Sequence, residues 1–168
     1  MFDGWFIIAN PASNSGRGKD LVNLVLKTLN SRSIKYKLNL TKNSGDEISL
    51  VELATRTKHN KLLGVGGDGT VQKIVAGMIL QKNIPKEKIL FGLIPSGTGN
   101  DWAKSKQIPV NISKSIDLLL NGTIYEQDVG VAKIINGNET KTRYFVTYSG
   151  VGFDSFMLKR IHNYKWLG

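Results

Sequence analysis

Apolar positions follow two rhythms that take turns along the chain. Trp5-Phe6-Ile7-Ile8-Ala9, Leu62-Leu63-Gly64-Val65 and Ile89-Leu90-Phe91-Gly92-Leu93-Ile94 are short solid runs, each closed by a turn rich in Gly or Pro, the pattern of buried strands. Between them the spacing becomes helical: Leu21, Leu24, Val25 and Leu29 first, then Val71, Ile74, Val75, Met78 and Ile79. Further helices are expected over roughly 46–58, near 100–105 and over 111–121. Residues 34–40 alternate, with Ile34, Tyr36, Leu38 and Leu40 on one face and Lys35, Lys37 and Asn39 on the other, which predicts a half-exposed strand at a sheet edge.

Strand, loop and helix thus recur in order. The fold class this predicts is α/β: a doubly wound parallel sheet with helices on both faces, right-handed crossovers, and ligands at the carboxyl ends of the strands. From Tyr125 the character changes. The runs Val129–Ile135 and Arg143–Tyr148 flank Asn136-Gly137-Asn138 and predict a β-hairpin, and Phe153–Gly168 reads as helix.

Composition narrows the picture without choosing a function. A chain of 168 residues, 40% of them hydrophobic, supports one α/β core and no second full domain. Lys and Arg number 23 against 13 acids, giving a net charge of +10. The excess is spread along the chain, so anionic partners are favoured: nucleotide phosphates or an anionic membrane surface. Nucleic acid ranks behind them, because there is neither a basic arm nor an aromatic-basic stripe. The absence of cysteine excludes disulfides and thiolate metal sites and fits a reducing compartment. Met1-Phe2-Asp3-Gly4-Trp5 carries an acid where a signal peptide has Lys or Arg, and no run approaches the roughly 20 apolar residues of a membrane span. The cytoplasm is the expected location. His59 and His162 are isolated and are assigned to packing or surface roles, and Trp5, Trp102 and Trp166 to core or interface.

Three strand-end loops carry the candidate chemistry: Asn10-Pro11-Ala12-Ser13-Asn14-Ser15-Gly16-Arg17-Gly18-Lys19, Gly66-Gly67-Asp68-Gly69-Thr70, and Pro95-Ser96-Gly97-Thr98-Gly99-Asn100-Asp101. Glycine lets backbone N–H groups approach phosphate oxygens, and a helix that starts just afterwards turns its positive end on the same anion. Any one such loop is more often a plain tight turn, and Asp68 and Asp101 could be simple helix caps. Three loops on consecutive strand ends favour phosphate, and carboxylates beside phosphates imply Mg²⁺. Gly64–Gly69 also satisfies G-x-G-x-x-G, with Glu87 where a ribose-binding acid would stand, but it follows the third strand rather than the first and is read as coincidence.

Together Asn10-Pro11-x-Ser13-x-x-Gly16-x-Gly18, Gly66-Gly67-Asp68-Gly69-Thr70 and Pro95-x-Gly97-Thr98-Gly99-Asn100-Asp101-x-Ala103 resemble the diacylglycerol kinase catalytic domain of bacterial lipid kinases and their sphingosine kinase relatives. Asp128-Val129-Gly130 and Gly150-Val151-Gly152-Phe153-Asp154 resemble that family's crossing into a β-rich second domain, which implies a division into 1–124 and 125–168, the latter a truncated start. The resemblance implies ATP against Asn10, Pro11, Ala12, Ser13, Asn14, Thr41, Gly66, Gly67, Asp68, Gly69, Thr70, Val71, Gln72 and Thr98. It implies an indirect, water-linked Mg²⁺ network through Asp68, Asp101 and Asp128, Asp68 being the leading catalytic candidate. The family's glutamate base lies beyond residue 168, so the chain alone is expected to bind nucleotide and turn over weakly. The implied reaction moves the γ-phosphoryl group of Mg-ATP to a lipid hydroxyl at the membrane periphery. A homodimer is left open. The alternatives are a soluble kinase of the NAD kinase or phosphofructokinase type and a noncatalytic nucleotide-binding remnant.

Overall fold

The computed structural model describes residues 4–13, 18–97, 99–137 and 139–147. Its main body alternates strand and helix as far as the fourth strand: β1 (Trp5–Ala9), α1 (Gly18–Ser31), β2 (Tyr36–Leu40), α2 (Asp46–Arg56), β3 (Lys61–Gly66), α3 (Asp68–Leu80), β4 (Leu90–Pro95), then α4 (Asp101–Ser105) and α5 (Ile112–Asn121). The four strands form one parallel sheet in the order β2-β1-β3-β4. The half-polar strand β2 takes an edge, as its alternation predicts, and the wholly buried β1 lies inside.

Alternation along β1 assigns its side chains to two cores. Trp5, Ile7 and Ala9 join Leu63, Val65 and Ile94 beneath Val22, Val25 and Leu29 of α1 and Ile116 of α5. Phe6 and Ile8 join Leu62 on the other face, beneath Val51 and Ala54 of α2 and Ile74 of α3. Helices therefore cover both faces, and the sheet is doubly wound. On the α3 side Val71, Val75, Leu93, Trp102 and Ala103 form a third cluster. Gly77 sets the closeness of α2 and α3, because a Cβ there would stand 2.9 Å from Val51 Cβ and 3.2 Å from Ile48 Cα.

Two boundaries differ from the sequence expectation for local reasons. The edge strand starts at Tyr36 rather than Ile34, because Ser33 takes φ 55° and the Ile34 N–H donates to the Leu29 carbonyl at 3.0 Å, so residues 32–34 end α1 instead. A 3-10 turn at Lys86–Lys88 precedes β4. The hairpin pairs β5 (Gly130–Asn136) with β6 (Glu139–Phe145). Asn136 faces Glu139, and Gly137 has φ 57° in the turn, so β6 begins within the polar Glu-Thr-Lys-Thr run that carries no apolar signal. The helix expected over Phe153–Gly168 lies outside the described residues. Among the described residues no helix is long and apolar enough to cross a membrane.

Candidate nucleotide site

In the order β2-β1-β3-β4 the chain leaves β1 toward one side for β2 and returns to the other for β3, so the topological switch lies between β1 and β3. The candidate loops leave the carboxyl ends of β1, β3 and the neighbouring β4. Hydrogen bonds and close glycine contacts join them.

After β1, the Asn10 N–H donates to the Val65 carbonyl at 3.0 Å, which fixes the loop to β3. The Asn10 side-chain Oδ1 accepts from Ala12 N at 2.9 Å, and its carbonyl accepts from Ser13 N at 3.2 Å, forming a compact turn. Gly18 then lets α1 start against this turn, since a Cβ there would lie 2.5 Å from the Pro11 carbonyl oxygen. Asn14 lies outside the described residues.

After β3, Gly67 is the N-cap of α3 and offers no side-chain hydrogen bond, so the positive end of this helix is left open to an anion. Gly66 is closed over by the Thr70 side chain. Thr70 is buried and Val71 belongs to the third core cluster, and their N–H groups donate to the Gly67 carbonyl at 3.0 and 3.1 Å, so Val71 offers a ligand neither side chain nor N–H. Gln72 points elsewhere: its Nε2 donates to the Tyr144 carbonyl at 3.3 Å and ties α3 to the hairpin.

The β4 loop packs against the other two. A Cβ on Gly67 would approach Gly97 Cα to 3.2 Å, so two backbones meet where neither position admits a side chain without displacement. Ser13 Oγ and Ser96 Oγ share a hydrogen bond of 2.8 Å across the crevice between the first and third loops. Asn100 sits at φ 52° and binds Gly97 twice, accepting from its N–H at 2.8 Å and donating Nδ2–H to its carbonyl at 2.6 Å. Ser96 and Asn100 are therefore structural members of the site; asparagine after Gly-x-Gly is the local signal for Asn100, because it tolerates the left-handed region. Thr98 lies outside the described residues.

Asp68 caps a helix other than its own. Its Oδ2 accepts from Asp101 N at 3.1 Å and its Oδ1 from Trp102 N at 3.0 Å, so the first turn of α4 is satisfied by the glycine loop. A Cβ on Gly99 would lie 3.2 Å from Asp68 Oδ2 and 3.8 Å from Asp101 Oδ2, which places both carboxylates around that glycine. Asp128 is exposed on the segment leading to β5. Among the described residues no group of three His or acidic side chains could hold a metal ion. Both carboxylates have partners in the protein, Asp68 in the two N–H groups of α4 and Asp101 in the Lys104 ammonium at 3.7 Å.

Thr41 follows β2 and is buried against the end of β1, its N–H donating to the Ala9 carbonyl at 2.9 Å. The next turn wraps around Asp46, whose Oδ2 accepts from Lys42 N and Asn43 N at 2.8 Å each. These bonds, the Asn43 one first, hold the Asp46 carboxyl below its usual range. His59 is a packing residue, buried edge-on to Phe6 with Nδ1 2.9 Å from Thr57 Oγ1. Desolvation, followed by the charge of Lys37, lowers its pKa.

Residues 4–132 match the family model for the diacylglycerol kinase catalytic domain. A curated diacylglycerol kinase of Staphylococcus epidermidis is 30% identical over 87% of this chain, and one of Staphylococcus aureus is 29% identical over the same share. In each case the matched region spans 42% of the relative, so the chain covers about two fifths of their length. Crystal structures from Bacillus anthracis share the fold. A candidate diacylglycerol kinase superposes with TM-score 0.60 at 22% identity, over 79% of this chain and 45% of that one. A second diacylglycerol kinase gives 0.59 at 19% identity, over 87% and 63%. With this sheet order, these three joined loops and a family match across most of its length, the chain belongs to the diacylglycerol kinase catalytic domain family.

Proposed function

We propose that this chain is the nucleotide-binding part of an ATP-dependent lipid kinase, holding Mg-ATP at the carboxyl edge of the sheet for in-line transfer of the γ-phosphoryl group to a lipid hydroxyl of diacylglycerol or sphingoid type. One observation carries the reading: the uncapped N-terminus of α3 opens at the switch point, and its flanking loops are locked by the Gly67–Gly97 approach and the Ser13–Ser96 hydrogen bond. Such a cradle binds phosphate through preorganised N–H groups and a helix dipole. Phosphoryl transfer needs little more than positioning and charge compensation.

In this reading the backbone donors of Gly66–Gly69 at the start of α3 face the phosphates, and the Asn10–Ser13 turn, whose own N–H groups are taken up by Val65 and Asn10, walls the crevice. Thr41 lies against the nucleotide, and Asn14 and Thr98 are assigned to the same ligand. Asp68 and Asp101 hold negative charge beside the cradle, with Asp128 as the outer member of the water-linked network. When bound, magnesium neutralises charge on the phosphate oxygens. Residues 1–124 form the nucleotide-binding unit and 125–168 the start of a β-rich second one. The basic excess suits transient contact with an anionic membrane, each cation near the surface contributing on the order of 1 kcal/mol.

The test is transfer of labelled phosphate from ATP into an organic-extractable lipid pool, comparing this chain with any longer reading frame that contains it. Label in the lipid phase supports the reading. Label appearing instead in a soluble acceptor such as NAD or a sugar phosphate, or in no acceptor, removes it.

A further inference from the structure

We propose that Lys73 is a positioning residue for the nucleotide, acting as a strap that holds the Thr41–Gly45 turn against the glycine loop. The proposal rests on the nucleotide-binding reading above and adds a residue outside the glycine motifs.

Lys73 follows directly on the Gly66–Gln72 segment and lies one helical turn before Gly77, where α2 and α3 pack closely. From there its side chain reaches the start of α2. Its Nζ donates to Ser44 Oγ at 3.0 Å and stands 3.7 Å from Glu47 Oε2. The Glu47 side chain is only 2% exposed, and the same Oε2 accepts from Gly45 N at 3.2 Å. A buried carboxylate demands cationic or N–H partners, so Glu47 fixes where the Lys73 ammonium sits. A surface lysine would ordinarily keep its head in water.

The consequence is a connection between two separate candidate segments. The turn after Thr41 is folded onto α2 by Asp46 and tied to α3 by Lys73 through Ser44 and Glu47. Thr41 itself is anchored to the end of β1. Releasing the strap leaves that anchor and the glycine loop intact but frees the turn that follows Thr41. Because β2 lies beyond β1 from the β3 loop that faces the phosphates, the proposal assigns this turn to the nucleoside end, so that Lys73 affects how that end is held and not how the phosphates are held.

The experiment measures affinity of the 168-residue chain for ATP and for inorganic tripolyphosphate, together with thermal stability, in Lys73→Met, Lys73→Arg, Ser44→Ala and the double variant Glu47→Gln with Lys73→Met. The double variant removes the ion pair without leaving a buried charge and guards against loss of folding. Lys73→Met and the double variant should weaken ATP by about tenfold, equivalent to roughly 1.4 kcal/mol of binding free energy. Lys73→Arg should recover most of that loss, Ser44→Ala should give a smaller one, and tripolyphosphate affinity should stay unchanged throughout. Equal losses for ATP and tripolyphosphate would make Lys73 a direct phosphate ligand and overturn the proposal. Lower stability with unchanged ATP affinity would reduce the strap to a fold contact and also overturn it. A wild-type chain that binds neither ATP nor tripolyphosphate removes the nucleotide reading itself, and this proposal with it.

Discussion

Replacing Asp68 separates its structural work from its proposed chemical work. In Asp68→Ala the two backbone N–H groups at the start of α4, now 3.0 and 3.1 Å from the carboxylate, lose their acceptor. The helix's own N-cap, Asn100, makes no side-chain cap hydrogen bond and is committed to Gly97, so no neighbour substitutes. Loss of a capping side chain costs about 0.5–2 kcal/mol, and because the site is partly open, water limits the loss to that range. For a domain of this size that lowers Tm by roughly 1–8 °C. Asp68→Asn keeps one acceptor and the shape but removes the charge. A carboxylate beside a triphosphate repels it unless a cation lies between, so the isosteric change should weaken ATP binding by about tenfold with Mg²⁺ and leave it equal or slightly tighter with EDTA. Calorimetry under both conditions, with a melting curve for each protein, provides the check. An equal loss of ATP affinity with and without Mg²⁺ would refute the metal-linked role and leave Asp68 as a cap alone.

Gly67→Ala and Gly97→Ala each place a methyl group between backbones already in contact, and both should reduce ATP affinity by tenfold or more, roughly 1.4 kcal/mol, with a measurable loss in Tm. Gly18→Ala directs its Cβ at the Pro11 carbonyl and should destabilise the chain by about 1–3 kcal/mol in urea unfolding; an unchanged midpoint would count against the tight start of α1. His59 has its folded pKa below the ordinary 6.5, so between the two values the unfolded chain takes up a proton that the folded one does not. The stability this neutral histidine allows is present above 6.5 and falls as pH drops toward the folded value. The urea midpoint should decline more between pH 7.5 and 5.5 in the wild type than in His59→Gln.

The order of elements was legible because burial imposes a period on each of them. The solid runs at Trp5–Ala9 and Leu62–Val65 mark the inner strands and the alternation of 36–40 one edge, whereas β4, an equally solid run, takes the other edge and is only half buried. The main departures came where backbone bonding, rather than burial, decides: Ser33 and Ile34 closing α1, and a polar β6 paired from Glu139 onward by its turn. In the site, the glycines marked the loops, but their mutual grip was invisible in one dimension. Nothing in the sequence links Ser13 with Ser96, or Asp68 with the N–H groups of Asp101 and Trp102, since these pairs lie 83, 33 and 34 positions apart.

That long-range cap also explains why an acid can sit in a loop suited to anions. An uncompensated carboxylate at the open end of α3 would compete for the same donors that phosphate needs. Asp68 turns its oxygens instead to α4, and the donors at the start of α3 are left without a side-chain cap. One residue thereby ties the β3 loop to the β4 loop and, in the proposed function, keeps a negative charge within reach of a phosphate-borne cation. Among its possible replacements, asparagine keeps part of the first function without the second and alanine keeps neither, so the pair of variants resolves how much of the site is architecture and how much is chemistry.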